Sequence, residues 1–269
     1  MQKYLEELKI LADINDPVIK KRFEDGEGDL NRPIYRYLAD RQWRQQRRLI
    51  LMQRISQMHI VPDMLPYLDP TAELRLFFGR RKVQPGDFVE SQNSESPPRL
   101  SIQVFDRGER LVSVVVIDPD VPNVETDSFD SRCHFLAVNV PISPTSTSVS
   151  LAQMSDNSHT IRPWLPPHAQ KGSPYHRLVV FVLEQKDGQR LDPPGLKRMV
   201  EDPVAQFNIR SCMDRVHGKL IGIHLFRTKW DDGMAGVMQR ADIAGADVEL
   251  KRMKPEKLPY KKKNPERYR

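Results

Sequence analysis

The chain has 269 residues, with 42 Lys or Arg against 36 Asp or Glu and two cysteines, Cys133 and Cys212. That length holds one good-sized core with extensions or two small domains, and two cysteines exclude a disulfide framework, which fits a reducing compartment. No run approaches the roughly 20 apolar residues of a membrane span.

Met1 to Leu11 alternates charged and apolar groups in a helix-like pattern that includes Glu6 and Glu7. This is neither a signal peptide nor an acid-poor transit peptide, so import into an organelle would need a presequence outside this chain. Asp16 ahead of Pro17 predicts an N-cap with proline at the first helical position, opening a short helix that ends near Gly26. After a turn, a long helix is expected from Pro33 to about Met58, stopped by Pro62. Its ends are apolar (Ile34, Tyr35 and Leu38, then Leu49, Ile50, Leu51, Met52 and Ile55), and its middle, Arg44 to Arg48, is polar all round. A helix polar on every face is solvent-bridging or held by something outside its own domain. Arg32 to Arg54 contains seven Arg and one Asp, a net of +6. Arg41, Arg44, Arg47, Arg48 and Arg54 are therefore candidate contacts to RNA phosphates.

Asp63 to Pro70 is a proline-punctuated lead-in, and strands are expected at Leu74 to Phe78, Leu100 to Phe105 and Leu111 to Ile117. The apolar run Val112 to Ile117, broken only by Ser113, gives way to Asp118-Pro-Asp-Val-Pro122. Proline removes an amide donor, so this break predicts a rigid corner at a strand end with two carboxylates on it. Polar, Ser- or Pro-rich loops follow at Gln92 to Pro98, Pro141 to His159 and Pro163 to Pro174. In His176 to Gln185, Leu178, Val180 and Val182 fall on one face and Val179, Phe181 and Leu183 on the other. A strand apolar on both faces lies in the middle of a sandwich. A short helix is expected between Asp192 and Gln206, and a helical stretch with Val237 and Met238 after Asp232. Lys251 to Arg269 has nine Lys or Arg against two Glu, a net of +7, and too little apolar content to fold alone. Lys251, Arg252, Lys261, Lys262, Lys263, Arg267 and Arg269 complete the set of candidate RNA-binding residues. Outside the two basic segments the chain carries a net of −7.

Five segments occur in the order found in the phosphatidylethanolamine-binding protein (PEBP) family, which this chain resembles. They are Asp118 to Pro122, His134-Phe-Leu-Ala-Val-Asn-Val140, His176 to Gln185, Phe207-Asn-Ile-Arg-Ser-Cys-Met213 and Phe226-Arg-Thr-Lys-Trp-Asp-Asp232. The resemblance implies a mostly β fold, an antiparallel β-sandwich over residues 62–240. A helical, Arg-rich extension (1–61) would precede it and a basic, extended tail (241–269) follow it. It also implies a small anion pocket at one end of the sandwich, built from Asp118, Asp120, His134 and His176. The family has tyrosine where Phe129 stands, tryptophan where Arg132 stands, an aromatic where Leu178 stands and tyrosine where Met238 stands. Pro166, Pro167 and His168 crowd the lip of the pocket. Three hydroxyl donors are lost, each worth roughly 0.5–1.5 kcal/mol net, so the pocket is expected to be vestigial, its Asp and His tying strand ends together.

No HxH, HExxH or CxxC spacing supports a metal site. Cys133 and His134 are adjacent and so point to opposite faces of a strand, and there is no GxSxG elbow. No catalytic residue, cofactor or metal is expected. Trp43, the Ile60-Val-Pro-Asp63 segment and the basic tail are similar to the PEBP-like branch carried by the mitochondrial large ribosomal subunit. That resemblance implies a non-catalytic ribosomal component in the mitochondrial matrix, near the central protuberance, touching ribosomal RNA and neighbouring ribosomal proteins. The alternative is a PEBP-type phosphate or phospholipid head-group binding module, or a kinase regulator.

Overall fold

A computed structural model describes residues 2–154, 159–193, 196–197 and 207–251. Two helices, α1 (Gln2–Asp13) and α2 (Pro17–Glu24), come first. The carboxylate of Asp16 accepts from Val18 N–H at 2.8 Å and Pro17 occupies the first turn, as that pair of residues predicts. Helix α3 (Pro33–Gln42) continues through a π-helical turn, Trp43–Arg47, into α4 (Arg48–Gln57). In an unbroken α-helix Trp43 would sit about 80° around the axis from Leu51. The wider turn, closed by Arg48 N–H on the Trp43 carbonyl, narrows that angle, so Trp43, Leu51 and Ile55 are all buried. Trp43 packs on Phe105 with ring centroids 5.5 Å apart. Ahead of this turn, Ile19, Ile34 and Tyr35 form a small apolar cluster of their own with Ile10, Ile14, Phe23, Leu30 and Leu38.

The body consists of two antiparallel sheets. Strands β1 (Glu73–Phe78), β2 (Arg81–Val83), β3 (Arg99–Gln103) and β6 (Ser148–Ser150) form the smaller, in the order β2-β1-β3-β6. Strands β4 (Arg110–Asn123), β5 (Ser128–Ile142), β7 (Thr160–Arg162), β8 (His176–Gln185) and β9 (Gly218–Thr228) form the larger, in the order β7-β5-β4-β8-β9. Strand β8 has the two-faced burial that its sequence predicts. Leu178, Val180 and Val182 pack between the sheets with Leu74, Leu76, Leu100 and Ile102. Val179, Phe181 and Leu183 pack on the opposite side, where α4 contributes Leu51 and Ile55 and the helix Ile209–Arg215 contributes Ile209 and Cys212.

The helical segment thus shares a core with the sheet on both sides of residue 61: Leu51, Ile55, Met58 and Ile60 belong to the same cluster as Met64, Leu65 and Leu68. Full burial of such side chains contributes roughly 1.5–3 kcal/mol apiece.

Two expectations need correction. Asp118 to Pro122 does not end its strand, because β4 runs on to Asn123 and pairs with β5 through Val121↔Asp130 and Pro122↔Phe129. Pairing of β4 with β8 stops at Ile117↔Val179, so the prolines lie where one edge of the strand is open, a setting in which strands tolerate proline. The polar middle of the long helix is held in part from within the chain. Arg47 Nη2 donates to Glu73 Oε2 at 3.0 Å, at the start of β1, and Arg48 pairs with Asp69 on the lead-in to the small sheet. Most of the helix expected over 192–206 lies outside the described residues. Helix Met234–Arg240 is present and buries Val237 and Met238.

Candidate functional site

Strands β4, β5 and β8 bring Asp118, His134 and His176 to one end of the large sheet. Asp118 is fully buried, and its Oδ2 lies 2.7 Å from His176 Nδ1 and 3.9 Å from His134 Nε2. Its Oδ1 accepts from Asp120 N–H at 2.9 Å. His134 is clamped to the 163–174 loop, its Nδ1 donating to the Leu165 carbonyl at 2.9 Å while Leu165 N–H returns a bond to the His134 carbonyl. Burial, reinforced by nearby His168, holds its pKa well below the usual imidazole range. A neutral ring donating through Nδ1 leaves Nε2 as an acceptor, and that buried atom has no hydrogen-bond partner.

A cavity of about 310 Å³ opens beside this group, lined by Arg132, Arg162, Leu165, His168, Gln170 and His176, with Val121, Pro122, Ile243 and Ala244 completing its wall. His168 donates through Nδ1 to the Pro166 carbonyl at 3.0 Å, and its Nε2 meets Arg132 Nη1. Burial, with the Arg132 charge beside it, pushes His168 down to about 4, which suits a neutral ring accepting from the guanidinium.

Of the four residues expected in the pocket, His176 alone lines the cavity. Asp118 and His134 stand behind its wall, fully buried. Asp120 faces elsewhere: it accepts from Arg177 Nε at 2.8 Å, Arg177 Nη2 at 2.7 Å and Arg177 N–H at 2.8 Å. Arg177 also reaches Asp63 Oδ2 at 2.8 Å. Burial alone would lower the Arg177 pKa, but Asp120 and Asp63 raise it overall. The β-bulge between Asp118 and Val121 breaks the alternation that would keep the two aspartates on one face. Sequence reasoning missed Arg132 and Arg162 as lining residues. The signal for Arg132 was present, as a cation in place of an aromatic. Phe129 is 58% exposed and away from the cavity, Leu178 is in the core, and Met238 packs with Ala169 and Met234.

Both thiols are inert by environment: burial pushes Cys133 and Cys212 up to about 12. The arrangement offers a small cationic hollow and no activated nucleophile among the residues that line it.

The helix arginines are largely engaged inside the molecule. Arg44 Nε lies 2.8 Å from Asp40 Oδ1, Arg54 donates to Gln57 at 2.9 Å, and Arg47 and Arg48 tie the helix to the body. Arg41 is exposed and makes no ion pair with a described residue. Lys251 is exposed, whereas Arg252, Lys261, Lys262, Lys263, Arg267 and Arg269 lie outside the described residues. No helix among the described residues is long and apolar enough to cross a membrane.

The fold and the buried Asp–His group define a sandwich of one class. The family profile of the phosphatidylethanolamine-binding proteins matches residues 79–216, just over half of the chain, which therefore belongs to that family. Over 240 residues the chain is 28% identical to the large ribosomal subunit protein mL38 of Schizosaccharomyces pombe, covering 88% of this chain and 75% of that protein. It is 24% identical over 188 residues to the putative odorant-binding protein A5 of Drosophila melanogaster, covering 69% of this chain and 83% of that one. Among solved structures, a carboxypeptidase Y inhibitor, complexed with its cognate proteinase, superposes with a TM-score of 0.52 at 17% identity. That match covers 68% of this chain and 96% of the inhibitor and speaks for the fold alone.

Proposed function

We propose that this chain is a structural component of the mitochondrial large ribosomal subunit. One observation carries the reading: the likeness to mL38 extends over 88% of the chain, whereas the family profile stops at residues 79–216. What is shared with that protein therefore includes much that flanks the sandwich, where the helical extension and the basic segments lie. In this reading the sandwich is a rigid, non-catalytic block that contacts neighbouring proteins. Arg41, Arg44 and Arg54 on the exposed side of the helix, with the basic C-terminal segment, contact ribosomal RNA near the central protuberance. The decisive experiment is sedimentation of a mitochondrial lysate on a density gradient with the chain tagged. Co-migration with large subunits that survives a moderate-salt wash is expected; a peak confined to the free-protein fractions would overturn the reading.

The cationic cavity favours a second reading, a module for small phosphate-type anions. Against it, the His176 Nδ1 is taken by Asp118, the His168 Nε2 by Arg132, and His134 is sealed away. Calorimetric titration with phosphoethanolamine separates the two: weak or undetectable binding is expected, and low-micromolar affinity would restore the head-group module.

A further inference from the structure

The outer face of the small sheet is built from one residue in two along each strand, and its composition is unusual. Inward positions Leu74, Leu76, Phe78, Val83, Leu100, Ile102 and Val149 are buried. The outward positions of β1, β2 and β3 include Arg75, Phe77, Lys82 and Arg99, and those of β3 and β6 include Ser101, Ser148 and Ser150. Register places Phe77 directly between two cations, paired with Lys82 on β2 and with Arg99 on β3. The Arg99 guanidinium lies over the Phe77 ring at 4.7 Å from its centroid. Lys82 and Arg99 are exposed and make no ion pair with a described residue.

The one carboxylate among the outward positions, Glu73, is buried and committed to Arg47 and Arg75. Through Arg47 it joins this face to the helix. Arg80 in the β1–β2 turn and Arg81 at the start of β2, both exposed, add to the charge at the far end.

We infer that the outer face of the small sheet is a binding platform for single-stranded RNA. Lys82 and Arg99 would meet successive phosphates, and the Phe77–Arg99 stack would present a flat surface to a base. A sheet that combines an aromatic ring with unpaired cations suits this ligand, because every base has a π-face and every linkage a charge. The near absence of acids and of other apolar groups on the face favours RNA over a protein partner. The inference deepens the ribosomal reading and rests on it for the presence of RNA.

The test uses the full chain and a labelled, mixed-sequence single-stranded RNA of about 12 nucleotides, a length within the usual range for such sites. Lys82→Gln with Arg99→Gln removes two cations that meet phosphates, and the slope of log K against log[salt] is expected to flatten by about 1.4. Phe77→Leu keeps the strand apolar and removes the stack, so affinity is expected to fall roughly ten-fold with the slope unchanged. Lys20→Gln with Lys21→Gln, on exposed α2, removes the same charge elsewhere and should leave affinity nearly intact. Circular dichroism establishes that each variant is folded.

Equal effects of the two charge-removing pairs, or no effect of Phe77→Leu, would overturn the inference while leaving the ribosomal reading standing. If the sheet variants bound RNA normally but failed to co-sediment with large subunits, the occupant would be an acidic protein surface and the RNA assignment would be wrong. If the wild-type chain neither bound RNA nor co-sedimented, both readings would fall.

Discussion

Between pH 6.5 and pH 4 the unfolded chain takes up protons on His168 and His224 that the folded chain refuses. Burial, ahead of any neighbouring charge, pushes both imidazoles down from 6.5 to about 4. A base whose pKa is depressed by folding contributes its full stability above the unfolded value and loses it as pH falls towards the folded one. Each ring therefore costs on the order of 3 kcal/mol by pH 4. Urea unfolding at pH 6.5 and pH 5, above the range in which Glu73 protonates, should show stability falling with pH. His224→Gln should flatten that fall, whereas a wild-type chain equally stable at both values would show that these rings are not held neutral. At this scale the sequence exposes chemistry better than direction. The Asp118–His176 pair is legible because both residues sit in recognisable motifs. Asp120 was misplaced because a bulge two residues long is invisible in a string of letters. Arg132 looked like the loss of an aromatic donor, yet its guanidinium forms part of the cavity wall against His168.

Strand β8 was legible as an element because apolar residues on both faces leave only one place for it, between two layers. Its consequence is sharp at Val180, fully buried between the sheets. Val180→Asp puts a carboxylate there with no partner, at a cost of several kcal/mol or a neutralised side chain. Inclusion bodies, or a thermal transition without cooperativity, are expected, and soluble V180D protein that unfolds cooperatively would show that β8 is not central. The long helix was legible in extent and misread in its surroundings. Periodicity registers what lies three or four residues away, and the acids that answer Arg47 and Arg48 are Glu73 and Asp69, more than twenty positions on. Asp40 answers Arg44 from one turn back. A polar helix middle therefore marked the route by which the helix is bolted to the sheet. The π turn at Trp43 was not legible at all, since nothing in WRQQR distinguishes it from an ordinary turn of helix.

For the molecule as a whole, charge divides into a mildly acidic body and two basic segments. With much of the helix charge already neutralised in place, the ribosomal reading puts more of the salt-dependent affinity on residues 252–269. Truncation after Lys251 keeps the hydrogen bond from Leu250 N–H to the Lys171 carbonyl, so the sandwich should fold unchanged. RNA or ribosome affinity should drop, and the salt slope should flatten by about 0.7–0.9 for each phosphate that the truncated chain leaves unneutralised. Identical slopes for truncated and full-length protein would show that this segment takes no part. The packing of α4 on the large sheet also sets an order of events during synthesis. Leu51, Ile55 and Met58 leave the ribosome long before Ile223 and Leu225, the β9 residues of their own cluster. The apolar side of α4 must wait through some 170 residues of synthesis for its complete receptor, exposed to chaperones and proteases throughout. A nascent-length chain ending at His217, before β9, should accordingly be cut within 48–57 by a protease to which the finished protein is resistant.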